Sequence, residues 1–275
     1  MTGPPNIESL RARSFGAVAA NYDRYRPRYP DQLVDDVVAM LPGRRVLEVG
    51  AGTGIATAAF AARGMAVACV EPDPEMAAVL SAKLTADADL SVVVATFEDW
   101  PAARPADAPG FDGLISGQAW HWTDPETHWT HAGAALRSGG VMALFWNDDD
   151  FADPRIAPAI TTAYGPRGIG IRPIHEKPAP STEPDNIVIR PREGWPEAHA
   201  ELDEYFTDLR THRYHWTRRM SVVDYVAQLN TTSAHLVLPP EVRDDMTAEL
   251  IATLTGYGDE IELTMSTELD VAVRR

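Results

Sequence analysis

Residues Val46-Leu-Glu-Val-Gly-Ala-Gly-Thr-Gly-Ile55 bring together two things that ligand chemistry needs: main-chain amides open to close approach, and a carboxylate beside them. Gly50, Gly52 and Gly54, with only Ala51 and Thr53 between them, put little side chain between the backbone and a ligand. A second carboxylate, Glu71, lies 21 residues beyond Gly50 and ends the apolar stretch Ala66-Val-Ala-Cys-Val70. An acid in that position hydrogen-bonds the two hydroxyls of a ribose. The arrangement therefore suits a nucleoside-bearing cofactor, its sugar on Glu71 and its polar chain over the glycine turn.

Two cofactor classes use such a turn, and the spacing separates them. A dinucleotide fingerprint has the form G-x-G-x-x-G, with helix amides meeting a pyrophosphate. Here the sixth position counted from Gly50 is Ile55, and from Gly52 it is Thr57, so the third glycine is missing. Glu48, two residues before the first glycine, would repel a pyrophosphate but suits a ligand that ends in an ammonium group. S-adenosylmethionine is such a ligand. A nicotinamide-dependent oxidoreductase is the disfavoured alternative.

The residues resemble the class I S-adenosylmethionine-dependent methyltransferases, whose first motif reads hydrophobic-acidic-hydrophobic-G-x-G-x-G. Val70-Glu-Pro-Asp-Pro-Glu-Met76 is similar to the second motif, and Ala95-Thr-Phe-Glu-Asp-Trp-Pro101 to the loop that flanks adenine. Phe111-Asp-Gly-Leu-Ile-Ser-Gly-Gln-Ala-Trp-His-Trp122 resembles the fourth strand and its continuation, and Leu136-Arg-Ser-Gly-Gly140 the turn before strand five. More narrowly, Tyr22-Asp-Arg-Tyr-Arg-Pro-Arg-Tyr-Pro30 and Leu229-Asn-Thr-Thr-Ser233 resemble the type 11 subgroup that includes trans-aconitate methyltransferase-like proteins. The resemblance implies a cofactor site of Tyr22, Glu48, Gly50, Ala51, Gly52, Gly54, Glu71, Pro72, Thr96, Phe97 and Gln118. It also implies S-adenosylhomocysteine as product and an α/β, Rossmann-like fold with a mainly parallel seven-stranded sheet, helices on both faces, and a helix and loop cap.

The elements that would position these groups follow from periodicity. Ile55–Arg63 reads as an Ala-rich helix closed by Gly64, and Asp31–Leu41 as an amphipathic one. Asp73 caps a further helix that has Pro74 at its first position and Met76, Val79, Leu80 and Leu84 on its apolar face. Strands are expected at Leu90–Val94, Phe111–Ser116 and Val141–Trp146, with a helix opened by Asp124-Pro125 before the last of them. Such alternation of strand and helix implies a parallel sheet whose ligand lies at the carboxyl ends of the strands.

Residues 147–201 interrupt the alternation with nine prolines and no sustained period, and read either as a surface loop or as a lid over the substrate. Boundaries are accordingly drawn as 1–146 for the cofactor-binding core, 147–201 for the lid, and 202–275 for cap helices and closing strands. In that last part Phe206–Trp216 alternates like a strand, and Ser221-Val-Val-Asp224 opens a helix to Leu229. Pro239-Pro240 opens another that ends before Gly256, and Glu260–Met265 and Glu268–Val273 close the chain as a strand or hairpin.

Composition narrows the partners. Forty acids against 24 bases give a net charge of −16, a surface that repels phosphate backbones and anionic lipid. Nucleic acid and membrane are therefore not expected, and a cytoplasmic location with a small-molecule substrate is. The single Cys69, within an apolar strand, reads as a core residue. His121, His128 and His131 lack a Cys or a closely placed carboxylate to complete a familiar ligand set, so no metal is expected. The oligomeric state is left open.

The methyl of S-adenosylmethionine is already activated, so the protein's task is placement. A base is needed only where the acceptor must lose a proton, as a hydroxyl or carbon acid must and a carboxylate need not. His121, just after the fourth strand, is the candidate base, with a packed structural role as the bland alternative. Trp120 and Trp122 are read as pocket walls or as core. Arg167 and Arg172 are read as carboxylate-binding groups of the lid or as solubilising charges, together with Arg155, Arg190 and Arg192. A protein that binds the cofactor without transferring methyl, as a regulator or a catalyst of another reaction, fits the same binding motifs.

Overall fold

The structure, a computed structural model, describes residues 15–83, 89–100, 109–165 and 200–275, without the side chains of 200 and 201. In chain order its elements are α1 (Ala19–Tyr25), α2 (Asp31–Met40), β1 (Arg45–Val49), α3 (Ile55–Ala61), β2 (Ala66–Val70), α4 (Pro74–Ala82), β3 (Leu90–Val93), β4 (Phe111–Gly117), α5 (His128–Ala135), β5 (Leu136–Phe151), α6 (Ile156–Tyr164), α7 (Ala200–Tyr205), β6 (Phe206–Ser221), α8 (Val222–Leu229), α9 (Ser233–Leu236), α10 (Pro240–Thr255) and β7 (Glu260–Arg274). The chain divides into two units. The core unit is Arg28–Asn147, Asp185–Tyr214 and Thr267–Arg275, and the second unit is Met1–Pro27, Asp148–Pro184 and His215–Ser266.

A seven-stranded sheet runs in the order β3-β2-β1-β4-β5-β7-β6. The pairs β2–β3, β1–β2, β1–β4 and β4–β5 are all parallel. Strand order therefore reverses between β1 and β4, the place where an open α/β sheet leaves a crevice at its carboxyl edge. The period-two alternation of a strand sorts the core unit's apolar residues onto two faces. Leu47, Val49, Leu114, Met142, Leu144 and Ala272 pack on one face with Trp129 and Ala132 of α5. Val46, Ile115, Ala143, Phe145, Leu269 and Val271 pack on the other with Leu33, Val34 and Val37 of α2 and Phe60 of α3. Both faces are covered, as a parallel sheet requires.

The second unit has its own core of Phe151, Ile156, Ile160, Tyr164, Val222, Tyr225, Val226, Met246, Leu250, Leu254, Ile261 and Leu263 among others. Within it the two segments similar to the type 11 subgroup are joined. Arg26 donates through Nε to the Thr231 hydroxyl and through Nη2 to the Thr231 carbonyl, both at 3.0 Å. Arg218 donates to the Tyr25 carbonyl at 2.7 Å and to Gln228 Oε1 at 2.6 Å. Thr231 is fully buried, so these bonds satisfy groups that water cannot reach.

Several boundaries differ from the sequence reading. β5 continues past Trp146 through Asp148–Asp150 to Phe151, and the Ala152 amide still donates to the Glu262 carbonyl at 3.0 Å. Backbone pairing holds that stretch extended in spite of its acids. Its opening is irregular too: a register shift between Phe111 and Gly113 absorbs the turn expected at Leu136–Gly140. α6 lies in the segment expected to lack regular structure. Pro158 obscured it, yet a proline in the first turn removes an amide that would have no helical partner anyway. The helix expected from Asp124 starts at His128, after a turn in which the His128 amide donates to the Asp124 carbonyl at 2.9 Å. The two closing segments form one strand, β7.

Candidate active site

The turn after β1 is built on left-handed backbone. Gly50, Gly52 and Gly54 have φ of 68°, 57° and 83°, a region that side chains disfavour. At Gly50 a second constraint applies, because a Cβ there would collide with the methyl of Ala119. That close approach brings the glycine turn against the loop after β4.

Glu71 closes the same turn from the end of β2. Its Oε2 accepts from the Gly52 amide at 2.7 Å and its Oε1 from the Asp73 amide at 2.9 Å. The carboxyl is buried, and burial raises its pKa while the two amides oppose that rise. A carboxylate offers about four acceptor positions, so each oxygen keeps capacity for a further donor. Asp73 accepts in turn from the Glu75 and Met76 amides at 2.9 and 3.1 Å, and Pro74 starts the helix as expected.

Glu48 is 2% exposed and on the sheet face that carries α2 and α3. Thr57 donates its hydroxyl to Glu48 Oε2 at 2.6 Å, and its amide also bonds the carboxyl. The donor that a buried carboxyl needs thus comes from α3. Burial, with a smaller contribution from the Glu71 charge, raises the Glu48 pKa to about 8, so at neutral pH the group holds its proton.

The loop after β4 is strained at Gln118, a non-glycine residue with φ of 61°. Its amide donates to the Phe145 carbonyl and its Nε2 to the Asn147 carbonyl, both at 2.9 Å. Asn147 is fixed in turn by the Thr267 hydroxyl at 2.6 Å and itself donates to the Arg28 carbonyl at 3.2 Å. His121 follows in a 3-10 turn, exposed, though the protein around its ring still holds its pKa below the ordinary imidazole value by desolvation. Trp122 is half-buried beside it, ring centroids 4.7 Å apart.

Other expected site residues take different places. Trp120 is 1% exposed and packs on Phe97, His128 and Trp129, so it is core and offers no pocket wall. Phe97 is buried in the same aromatic cluster. The Thr96 hydroxyl is used locally, donating to Asp99 Oδ2 and accepting from the Asp99 amide, both at 3.1 Å. His128 is buried with Thr123 Oγ1 2.8 Å from its Nδ1, and among the described residues no group of three or more His, Cys, Asp or Glu side chains could hold a metal. Tyr22 belongs to the second unit, edge-on to Phe15 and under the Arg26 guanidinium. Arg155 pairs with Asp153 at 2.6 Å. Arg167, Arg172, Arg190, Arg192 and Leu84 lie outside the described residues.

Comparison with known proteins adds to this geometry. A family model for a methyltransferase domain matches residues 47–144. Methyltransferases of Mycobacterium bovis and Mycobacterium tuberculosis, both named as uncharacterized, are 31% identical over 245 residues, 87% of this chain and 86% of theirs. The chain belongs to the class I S-adenosylmethionine-dependent methyltransferases. Among solved structures, a candidate type II methyltransferase from Anaeromyxobacter dehalogenans matches this methyltransferase with a TM-score of 0.58 at 21% identity, over 91% of this chain and 98% of that one. Haemonchus contortus phosphoethanolamine N-methyltransferase 2, in complex with phosphomonomethylethanolamine and S-adenosylhomocysteine, matches with a TM-score of 0.50 at 12% identity, over 99% of this chain and 61% of that one. At those identities the likeness is one of fold.

Val94 and Tyr29 lie next to the candidate site groups, and of the two only Val94 is absent from the sequence reading of the site. Val94 is 56% exposed at the end of β3, and the ladder that joins it to Glu71 runs from the Glu71 amide to the Val93 carbonyl and from the Ala95 amide to the Glu71 carbonyl, at 3.1 and 3.3 Å. With the exposed Pro72 it forms apolar surface next to the carboxyl. Tyr29 lies edge-on to Phe145 at 4.6 Å, and a Cβ on Gly117 would fall 2.5 Å from its hydroxyl. Tyr29 belongs to the tyrosine-rich segment Tyr22–Pro30, which the sequence already points to.

Proposed function

We propose that this methyltransferase transfers the methyl of S-adenosylmethionine to a small-molecule acceptor with an oxygen, nitrogen or carbon nucleophile. Glu71 carries the reading: each of its oxygens is anchored by one loop amide and keeps capacity for a ribose hydroxyl. Pro72 and Val94 are the apolar surface for a base ring, with Thr96 at its border. Gly50, Ala51, Gly52 and Gly54 leave the main chain open for the methionine end, whose ammonium meets Glu48, and the Gln118 loop closes the opposite side. Phosphate backbones and anionic membranes are poor partners for a chain of net charge −16, and no helix among the described residues is long and apolar enough to cross a membrane.

When bound, the cofactor supplies an activated methyl, and the protein supplies placement and, for some acceptors, a base. His121 is exposed on the loop after β4, and its lowered pKa keeps the imidazole neutral at pH 7, ready to accept a proton from a hydroxyl acceptor. A carboxylate acceptor is already ionised and needs orientation instead, the task assigned to Arg167 and Arg172. Methyl-labelled S-adenosylmethionine offered with panels of carboxylic acids, phenols and amines tests the reading. Label should appear in at least one class, and a protein that binds the cofactor yet transfers to none refutes it. With a hydroxyl acceptor, His121→Ala should lower turnover by roughly 10²- to 10⁴-fold with unchanged cofactor affinity. A fully active variant on such an acceptor would remove His121 as the base.

A further inference from the structure

The two carboxyls at the carboxyl edge of β1 and β2 are served unequally. Glu71 receives two loop amides, one on each oxygen, whereas Glu48 is more deeply buried and receives only the hydroxyl and amide of Thr57. An ionised carboxyl held by neutral donors, out of reach of water and close to another acid, is costly. The elements packed around Glu48 bring it neutral or acidic groups. From β2, Cys69 pairs in register with Glu48, and burial pushes its thiol pKa up, so it stays neutral. Glu71, also from that side, repels, and Asp73 beyond it acts on Glu71 in the same sense. From β4, the paired residue is the apolar Ile115. Lys83, at the end of α4, donates its ammonium to the Thr53 carbonyl at 2.8 Å, and the charge acting on Glu48 is that of Glu71.

We propose that Glu48 gives up a proton when a ligand ammonium occupies the glycine turn, so that cofactor binding by this chain is coupled to proton release. The inference rests on the cofactor reading above and deepens it. Before ligand binds, Glu48 is a neutral carboxylic acid. An incoming ammonium provides the missing positive charge, the carboxyl ionises to form a charge-assisted pair, and its proton passes to solvent. Affinity then rises by roughly tenfold per pH unit below the free protein's pKa and levels above it. Burial places the free carboxyl at about 8.

Calorimetric titration of the full chain with S-adenosylhomocysteine at pH 6.5, repeated in buffers of different ionisation enthalpy, counts the protons. About one proton should leave per ligand bound, and Glu48→Gln, which mimics the neutral acid, should bind without release. Observed heat independent of buffer in the wild type overturns the proposal while leaving the cofactor reading intact. Release that persists in Glu48→Gln assigns the proton elsewhere and overturns it too. An absence of any binding by the wild type overturns the cofactor reading itself. Should Glu48→Gln fail to fold, infrared difference spectra of the wild type decide the matter: the carbonyl band of a protonated carboxyl should disappear on binding, and its persistence contradicts the proposal.

Discussion

In the second unit a buried tyrosine and histidine and a half-buried asparagine and threonine satisfy one another, whereas in the core unit the buried Glu48 rests on a single threonine and the left-handed Gln118 is pinned by the neighbouring strand β5. The Tyr164 hydroxyl donates to His235 Nε2 at 2.9 Å, and His235 Nδ1 donates to Asn230 Oδ1 at 3.0 Å. Asn230 exchanges two bonds with the Thr247 hydroxyl, at 2.9 and 3.3 Å. Burial, helped by Arg243, lowers the His235 pKa to about 4, so this chain of bonds keeps one protonation state through neutral pH. Nothing in it waits for a ligand. The carboxyl edge of the core sheet differs: Glu48 can change its protonation, Glu71 has acceptor capacity left, and Gln118 stores strain. A closed network is architecture, whereas an edge with unused acceptor capacity is open to a further donor.

Stability against pH should separate the two regions most sharply. Glu48 keeps its proton to about 8 in the folded chain against an ordinary carboxyl value of 4.5, so the folded state binds more protons across that window. Its contribution is fully present below about 4.5 and is lost as pH rises toward 8. Glu48→Gln lacks that loss, and its stability relative to the wild type should improve by a few kcal/mol between pH 5 and pH 8. Urea melts at the two pH values check this, and parallel pH profiles would show that Glu48 is ionised throughout. In the closed network the sign is opposite. His235→Ala leaves the Tyr164 hydroxyl without its acceptor and Asn230 Oδ1 with only the longer bond from Thr247, and should destabilise by about 1 to 3 kcal/mol at any pH from 6 to 8. Unchanged melting would mean that water replaces the imidazole. The smallest effect is expected at Arg63, whose ion pairs with Asp31 and Asp35, at 2.8 and 2.5 Å, face solvent. Arg63→Ala should cost about 0.2 to 1 kcal/mol, less in high salt, by the same melts.

Local rules made much of both units readable. Asp73 and Pro74 announce α4, Ser221 caps α8, with its hydroxyl accepting from the Asp224 amide at 3.1 Å, and Ala66–Val70 is β2 to the residue. Each signal lies within a few residues of its effect. What stayed hidden depends on distant partners. β5 and β7 run longer than their apolar patterns because pairing sustains a strand through polar residues. Trp120 reads equally as wall or core until α5 covers it. The place of Glu48 two residues before the turn suggests a carboxylate for an ammonium, but its donor Thr57 and its retained proton follow from the packing of α3 on β1. The exposure of Val94 could not be read either, since a β-branched residue at a strand end looks like core in the sequence.

Glu71 is the most direct test of the account. Calorimetry should show that the wild type binds S-adenosylmethionine and S-adenosylhomocysteine but not NAD. Glu71→Ala should weaken S-adenosylhomocysteine by roughly 10- to 150-fold, the loss of charge-assisted hydrogen bonds worth about 1.5 to 3 kcal/mol. NAD binding without either sulfur ligand, or an unchanged affinity in a folded Glu71→Ala protein, would contradict the assignment of this edge as the cofactor site.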